Sequence, residues 1–199
     1  MAPSPESMYA EILRQDLSAF IHRSFSQLNA STKFLSNWHI EVLAAKLEAV
    51  RRGECKRLIV NVPPRHLKSH ATSIAFPAWL LGHDPSKKIL VVSYAKDFAD
   101  KLARDSRELM RSPFYQALFD TRSSSEAASE YETTAGGYRL AASISGGITG
   151  RGADVIIIDD PIKTNEALSD SQRNSVNDWY DNTLRSRLNS QKEGRSSLS

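Results

Sequence analysis

Ten residues, Val60-Asn61-Val62-Pro63-Pro64-Arg65-His66-Leu67-Lys68-Ser69, have the order of a site that holds phosphate. A short β-rich run ends at a double proline, a tight turn follows, and Lys68-Ser69 opens a helix pattern. Backbone N–H groups at a helix N-terminus bind phosphate oxygens. A lysine placed there reaches the outer phosphates of a nucleotide, and the hydroxyl after it ligates Mg²⁺. Lys68 and Ser69 fit those two roles. The usual pattern has glycine just before the lysine and again five residues earlier. Leu67 and Val62 stand at those positions, and Leu67 carries a steric cost if its φ is positive. The competing reading of this segment is a plain strand–helix connection.

A second feature lies further along the chain. Val155-Ile156-Ile157-Ile158 is a run of four β-branched residues that ends in Asp159-Asp160. A buried strand of this kind delivers carboxylates at its C-terminal edge, where ligands bind in open α/β sheets. In enzymes with a phosphate loop, one such carboxylate supports Mg²⁺ and another group positions the attacking water. Asp159 takes the metal role here and Asp160 the base role, although Asp160 is shorter than the glutamate more often found in such a position. The competing reading is a turn that starts ahead of Pro161.

The elements that must position these residues follow from periodicity. Apolar residues recur at helical spacing over 8–28 after a polar lead, with Ser7 as the candidate cap, and again over 37–52 up to Gly53. From residue 57 onward strands and helices alternate. Strands are expected at 57–62, 88–94 and 155–160, and helices at 68–81, 97–110 and 170–188. A hairpin is expected over 130–142 around Gly136-Gly137. Residues 121–130 read as a loop and 145–152 as a glycine-rich loop. Short, continuously apolar strands imply a mostly parallel sheet covered on both faces. The expected fold class is α/β, a doubly wound sheet with the N-terminal helices packed on it.

Composition bounds the remaining possibilities. The chain has 199 residues, with 40% hydrophobic and 25% charged residues and a net charge of +3. This permits a nucleic-acid partner without requiring one, and it excludes disordered and collagen-like chains. The one cysteine, Cys55, excludes an internal disulfide framework and fits a reducing compartment. With neither a membrane-length apolar run nor a secretory leader, a cytoplasmic location is expected. The five histidines have no metal-ligand spacing; His66 and His70 are four apart but lack the accompanying glutamate.

In this order the segments resemble the ATPase domain of phage terminase large subunits, the motors that package viral DNA into capsids. The resemblance covers about residues 35 to 190. It rests on Trp38-His39, on 63–69 as a variant of the family's Walker A loop, and on 76–85 (FPAWLLGHDP). It also rests on Ser93-Tyr94-Ala95, on 146–152 (GGITGRG), on 158–163 (IDDPIK), on Trp179-Tyr180 and on 183–188 (TLRSRL). A glycine-poor loop is usual in this branch of the family. The resemblance implies an additional-strand, RecA-like P-loop fold that hydrolyses ATP with Mg²⁺ in the bacterial host cytoplasm. Its ATP-binding residues would be Pro64, Arg65, His66, Leu67, Lys68 and Ser69, and its metal ligands Ser69 and Asp159. The catalytic set would be Asp160 as base, Arg65 on the γ-phosphate, and Arg151 as an arginine finger on a neighbouring subunit of a ring. Trp38 is a candidate for stacking on adenine. The implied partners are double-stranded DNA, a small terminase subunit and a portal protein.

The family's next strand, with its coupling motif, and its nuclease domain have no counterpart in 189–199 (NSQKEGRSSLS). That tail has one apolar residue, Leu198, and no strand pattern. The expected organisation is a helical lead (1–34), an ATPase domain (35–190) and a polar tail (191–199), with the sheet incomplete and no nuclease activity. Two other readings stand beside this one. One is a different P-loop motor such as a helicase, and the other is a non-catalytic fragment or binding protein.

Overall fold

The first helical pattern is divided by one residue. Asp16 is extended, and its carboxylate accepts the Ala19 N–H at 3.1 Å. Aspartate is stabilising as a helix N-cap and unfavourable inside a helix. The single helix expected over 8–28 is therefore two, α1 (Pro5–Gln15) and α2 (Leu17–Leu28). The cap of α1 is Ser4 rather than Ser7; the Ser4 hydroxyl accepts the Ser7 N–H. α3 (Trp38–Arg52) stops at Gly53, whose φ of 80° suits a residue without a Cβ. This computed structural model describes residues 4–144, 146, 148, 150–163, 165–189 and 195–198.

β1 (Arg57–Ile59) leads through the loop into a helical run over 68–83, whose second part is α4 (Phe76–His83). β2 (Lys88–Ser93) and α5 (Lys96–Arg111) follow, close to the expected positions. α6 (Pro113–Leu118) has no clear apolar period. It forms because Pro113 occupies its first position and the Ser112 hydroxyl caps Tyr115 N–H at 3.3 Å. β4 (Glu130–Thr133) and β5 (Tyr138–Ser143) make the expected antiparallel hairpin. A Cβ on Gly137 would collide with the Pro85 and Lys87 carbonyls, which fixes glycine there. β6 is Val155–Asp159, and α7 (Asp170–Trp179) continues as a wider turn through Leu184.

The strand order is β1-β7-β6-β2-β5-β4-β3, where β3 is Ser123–Glu126 and β7 is Arg195–Leu198. All neighbours from β1 to β5 are parallel, while β4 and β3 add an antiparallel margin. Two expectations are corrected here. The serine-rich stretch read as a loop supplies edge strand β3, paired with β4. The polar tail supplies β7, which sits between β1 and β6 and closes the gap that the tail was expected to leave. Neither 123–126 (SSSE) nor 195–198 (RSSL) carries the hydrophobic period that reveals a strand.

Alternate residues of the central strands enter two cores. Ile89, Val91, Val155 and Ile157 meet α1 to α5 on one face, while Leu90, Val92, Ile156 and Ile158 meet Leu184 and Trp179 on the other. The fold is a mixed, mostly parallel open sheet flanked by helices. Among the described residues no helix is long and apolar enough to cross a membrane.

The helical run 68–83 is wound in two ways. Between His70 and Ala75 it is π-helical, and the Phe76 N–H donates to Ala71, five residues back. Pro77 accounts for this, because proline has no N–H and its ring crowds the carbonyl four residues before it. The start of the run is fixed to α2 by His70, whose Nε2 lies 3.0 Å from the buried Ser24 hydroxyl. Burial pushes the His70 imidazole down to about 4. An unfolded histidine titrates near 6.5. Between these values the unfolded chain binds the extra proton, so stability rises with pH. The contribution of neutral His70 is full above pH 6.5 and is lost as pH falls to 4, by about 3 kcal/mol in total. Urea titrations of wild type and His70→Asn from pH 4 to 7 should diverge across that window. Parallel curves would assign the acid sensitivity to another group.

Candidate functional site

The loop between β1 and the helical run holds two residues in the left-handed region, Arg65 at φ 64° and Leu67 at φ 62°. Left-handed backbone costs a non-glycine residue about 1–2 kcal/mol. For Leu67 this is offset in part, because its half-buried side chain packs against the main core. Arg65 is exposed and has no such offset. His66 curls back over the turn. Its Nδ1 lies 3.1 Å from the Pro63 carbonyl and 2.8 Å from that of Pro64, so this nitrogen carries the hydrogen. His39 Nε2 reaches the His66 carbonyl at 3.2 Å and ties the loop to α3. The Leu67 carbonyl then accepts the Ala71 N–H at 2.9 Å and begins the helix.

This path turns Lys68 inward. Its ammonium pairs with Asp160 and lies 3.5 Å from Asp159 Oδ1, with 16% of the side chain exposed. The two carboxylates end the same strand in different surroundings. The Asp159 side chain is 0% exposed, and its Oδ2 accepts the Ser73 hydroxyl at 2.8 Å. The Asp160 side chain is 52% exposed. Its φ of 47° belongs to a region aspartate tolerates, and its carbonyl accepts the Tyr94 N–H at 3.1 Å.

Above these groups lies a cleft of about 900 Å³. It is lined by 62–70, which includes Pro64, Arg65, His66, Leu67, Lys68 and Ser69, and by Tyr94, Asp160, Ile162 and Lys163. The structure thus brings the loop residues, Lys68 and both aspartates together. Two candidates stand apart. Trp38 is 72% exposed, and neither this cleft nor the neighbouring cavity of about 340 Å³, which His39 and Arg65 line, includes it. Arg151 is held at the β4–β5 margin by Glu130 and by Glu132 at 2.7 Å, over the Tyr138 ring. Of the glycine-rich loop, Ser145, Gly147 and Thr149 lie outside the described residues.

Sequence reasoning missed three participants. Tyr94 directly follows β2 at the same sheet edge as Asp160, a position that can be read from strand order. Lys163 Nζ lies 5.9 Å from the Tyr94 ring centre, on the far wall of the cleft. Ser73 is one helical turn beyond Ser69, so its reach to Asp159 depends on how that turn is wound.

The loop and the two aspartates lie at the C-terminal edge of a mostly parallel open sheet, the edge at which ligands bind in α/β folds of this kind. Among solved structures, the fold is similar to that of the large terminase of bacteriophage HK97, with a TM-score of 0.61 at 11% sequence identity. The likeness covers 93% of this chain, which spans 36% of the length of that terminase. No family model matches the sequence. No curated protein sequence matches it either.

Two predictions follow from the energetics of the site. Lys68→Met leaves Asp159 buried beside an uncharged neighbour and should cost about 3 kcal/mol in urea unfolding. Asp160→Asn, at a half-exposed position, should stay within about 1 kcal/mol of wild type; equal losses for both would show that burial does not govern this pair. Arg65→Gly should raise stability by up to about 1 kcal/mol through relief of left-handed strain. A lowered unfolding midpoint would show that the Arg65 side chain contributes more than its backbone costs.

Proposed function

We propose that this chain is an ATP-binding and ATP-hydrolysing module of the kind found in phage terminase large subunits. The observation that carries the reading is the delivery of Lys68, by a strained glycine-free loop, onto two carboxylates at the end of a buried strand. The cleft volume, the helix N-terminus at 68–69 and the charge set suit a nucleoside triphosphate. Lys68 would hold the outer phosphates, and the loop N–H groups their oxygens. Among the described residues no three His, Cys, Asp or Glu side chains converge as a metal cage. Mg²⁺ in phosphate sites needs only one or two protein oxygens beside the phosphates, and Ser69 and Asp159 are the candidates. When bound, Mg²⁺ neutralises charge on the transferring phosphoryl group. Asp160, once released from Lys68, is free to orient a water and accept its proton. Arg65, which lines the cleft, would contact the γ-phosphate. Arg151 would serve a neighbouring subunit of a ring only after leaving its two glutamates.

Double-stranded DNA, a small terminase subunit and a portal protein are the partners this reading implies. The whole motor would need parts beyond this module.

Isothermal titration should detect Mg·ATP binding that Lys68→Ala abolishes while the far-ultraviolet spectrum is retained. Asp160→Asn should keep binding and lower hydrolysis by about 100-fold or more. Stimulation by a small terminase subunit or portal protein, rather than by single-stranded DNA, would separate a packaging motor from a helicase. Absence of binding at millimolar ATP would overturn the proposal.

A further inference from the structure

Pro77 lies inside the helical run 68–83, and its ring crowds the carbonyl four residues back. That carbonyl belongs to Ser73. A buried backbone carbonyl has two lone pairs and can accept a side-chain donor. Arg139 supplies one across the sheet: its Nη2 lies 3.3 Å from the Ser73 oxygen. Arg139 projects from β5 and is 1% exposed. Its Nε and Nη1 have no hydrogen-bond partner among the described residues. Burial pushes its guanidinium down to about 9, against the pull of Asp100 and Asp105.

A guanidinium desolvated to this degree is a poor way to stabilise a fold, since apolar residues in such places are often neutral or better. What it touches gives it a use. Ser73 is itself 0% exposed, and its hydroxyl donates to Asp159 Oδ2 at 2.8 Å. Carbonyl and hydroxyl belong to one residue, so a donor that holds the carbonyl restrains the Cα from which the hydroxyl reaches Asp159. The adjoining turn is tied in as well, because the Thr72 hydroxyl donates to the Lys68 carbonyl at 3.0 Å and lies 3.3 Å from the Ser73 hydroxyl.

We infer that Arg139 is a positioning residue for the Asp159 carboxylate, acting through Ser73, whose carbonyl it holds. Ser73 lies within the π-helical stretch, and windings of this type recur at functional sites. The link to metal and nucleotide rests on the function proposed above, whereas the link from Arg139 to Asp159 does not.

The test begins without nucleotide. In protein labelled with ¹³C at aspartate carboxyls, Asp159→Asn identifies the Asp159 resonance. Ser73→Ala should move it, Arg139→Met should move it in the same direction, and Arg139→Lys should restore part of the difference. An Asp159 resonance that responds to Ser73→Ala and ignores Arg139→Met would overturn the inference. If Arg139→Met does not fold, Arg139→Gln gives the same comparison.

With ATP present, Arg139→Met should raise the Mg²⁺ concentration needed for half-saturation by about tenfold, a typical effect of losing a group that orients a metal ligand. Its affinity for metal-free ATP should be unchanged, and equal losses in both would mean general damage and overturn the inference. A wild-type protein that binds no ATP would refute the proposed function, and the carboxyl resonance would still decide the role of Arg139.

Discussion

A carboxylate withdrawn from water at the end of a buried strand has to be compensated where it stands. Asp159 is such a group, with no exposed side-chain surface. An uncompensated buried charge costs several kcal/mol. Its surroundings answer that requirement from two directions: Lys68 arrives from the loop, and the Ser73 hydroxyl from the helix that follows. Both come from the same connection between β1 and α4, so the path of that connection is constrained at two points one helical turn apart. The left-handed turns at Arg65 and Leu67 precede the first point, and the wider winding at Pro77's approach carries the second.

The connection is anchored away from the charges as well. Leu67 is drawn into the main core, His39 holds the His66 carbonyl, and His70 bonds to Ser24 of α2. The three contacts reach the loop from α3, from α2 and from the core between them. The N-terminal helices therefore belong to the apparatus that sets the loop. Glycine would give the same backbone without strain, but it would lose the Leu67 contact that fixes the loop against the core. Rigid placement of the loop is the physical advantage of such an arrangement.

What was legible in the sequence divides along physical lines. Lys68 and Ser69 after a double proline, and Asp159 and Asp160 after four β-branched residues, are visible because strand ends and helix starts leave strong local signals. The doubly covered sheet is visible in strands with no polar alternation, and β2 and β6 are buried on both faces as that pattern requires. β7 and β3 were not visible, because 195–198 (RSSL) and 123–126 (SSSE) are largely polar and have no apolar period. Asp16 was hidden within an apolar period that continues on either side of it. Ser73 and Arg139 were hidden for another reason. Their roles depend on a helix wound off its normal period and on a charged side chain turned into the sheet, where the sequence pattern points an arginine outward.

The two aspartates are adjacent in the chain and unequal in surroundings, and the inequality orders their chemistry. Lys68 cannot hold a phosphate and remain fully engaged with both of them. If it turns to an incoming phosphate, Asp160, half exposed, recovers hydration at little cost. Asp159 has no water to recover, and its negative charge then stands beside further negative charge in a low-dielectric setting, where such interactions are strongest. That position calls for a cation in place of the ammonium, and a hard divalent ion held between Asp159 and the phosphate would supply it. On the proposed reading, the coupling of metal to nucleotide arises from burial of one carboxylate, and the availability of a base arises from exposure of its neighbour. A single residue step along β6 separates the two because the strand ends there: Asp159 is its last residue, inside the sheet, and Asp160 at φ 47° turns out of it.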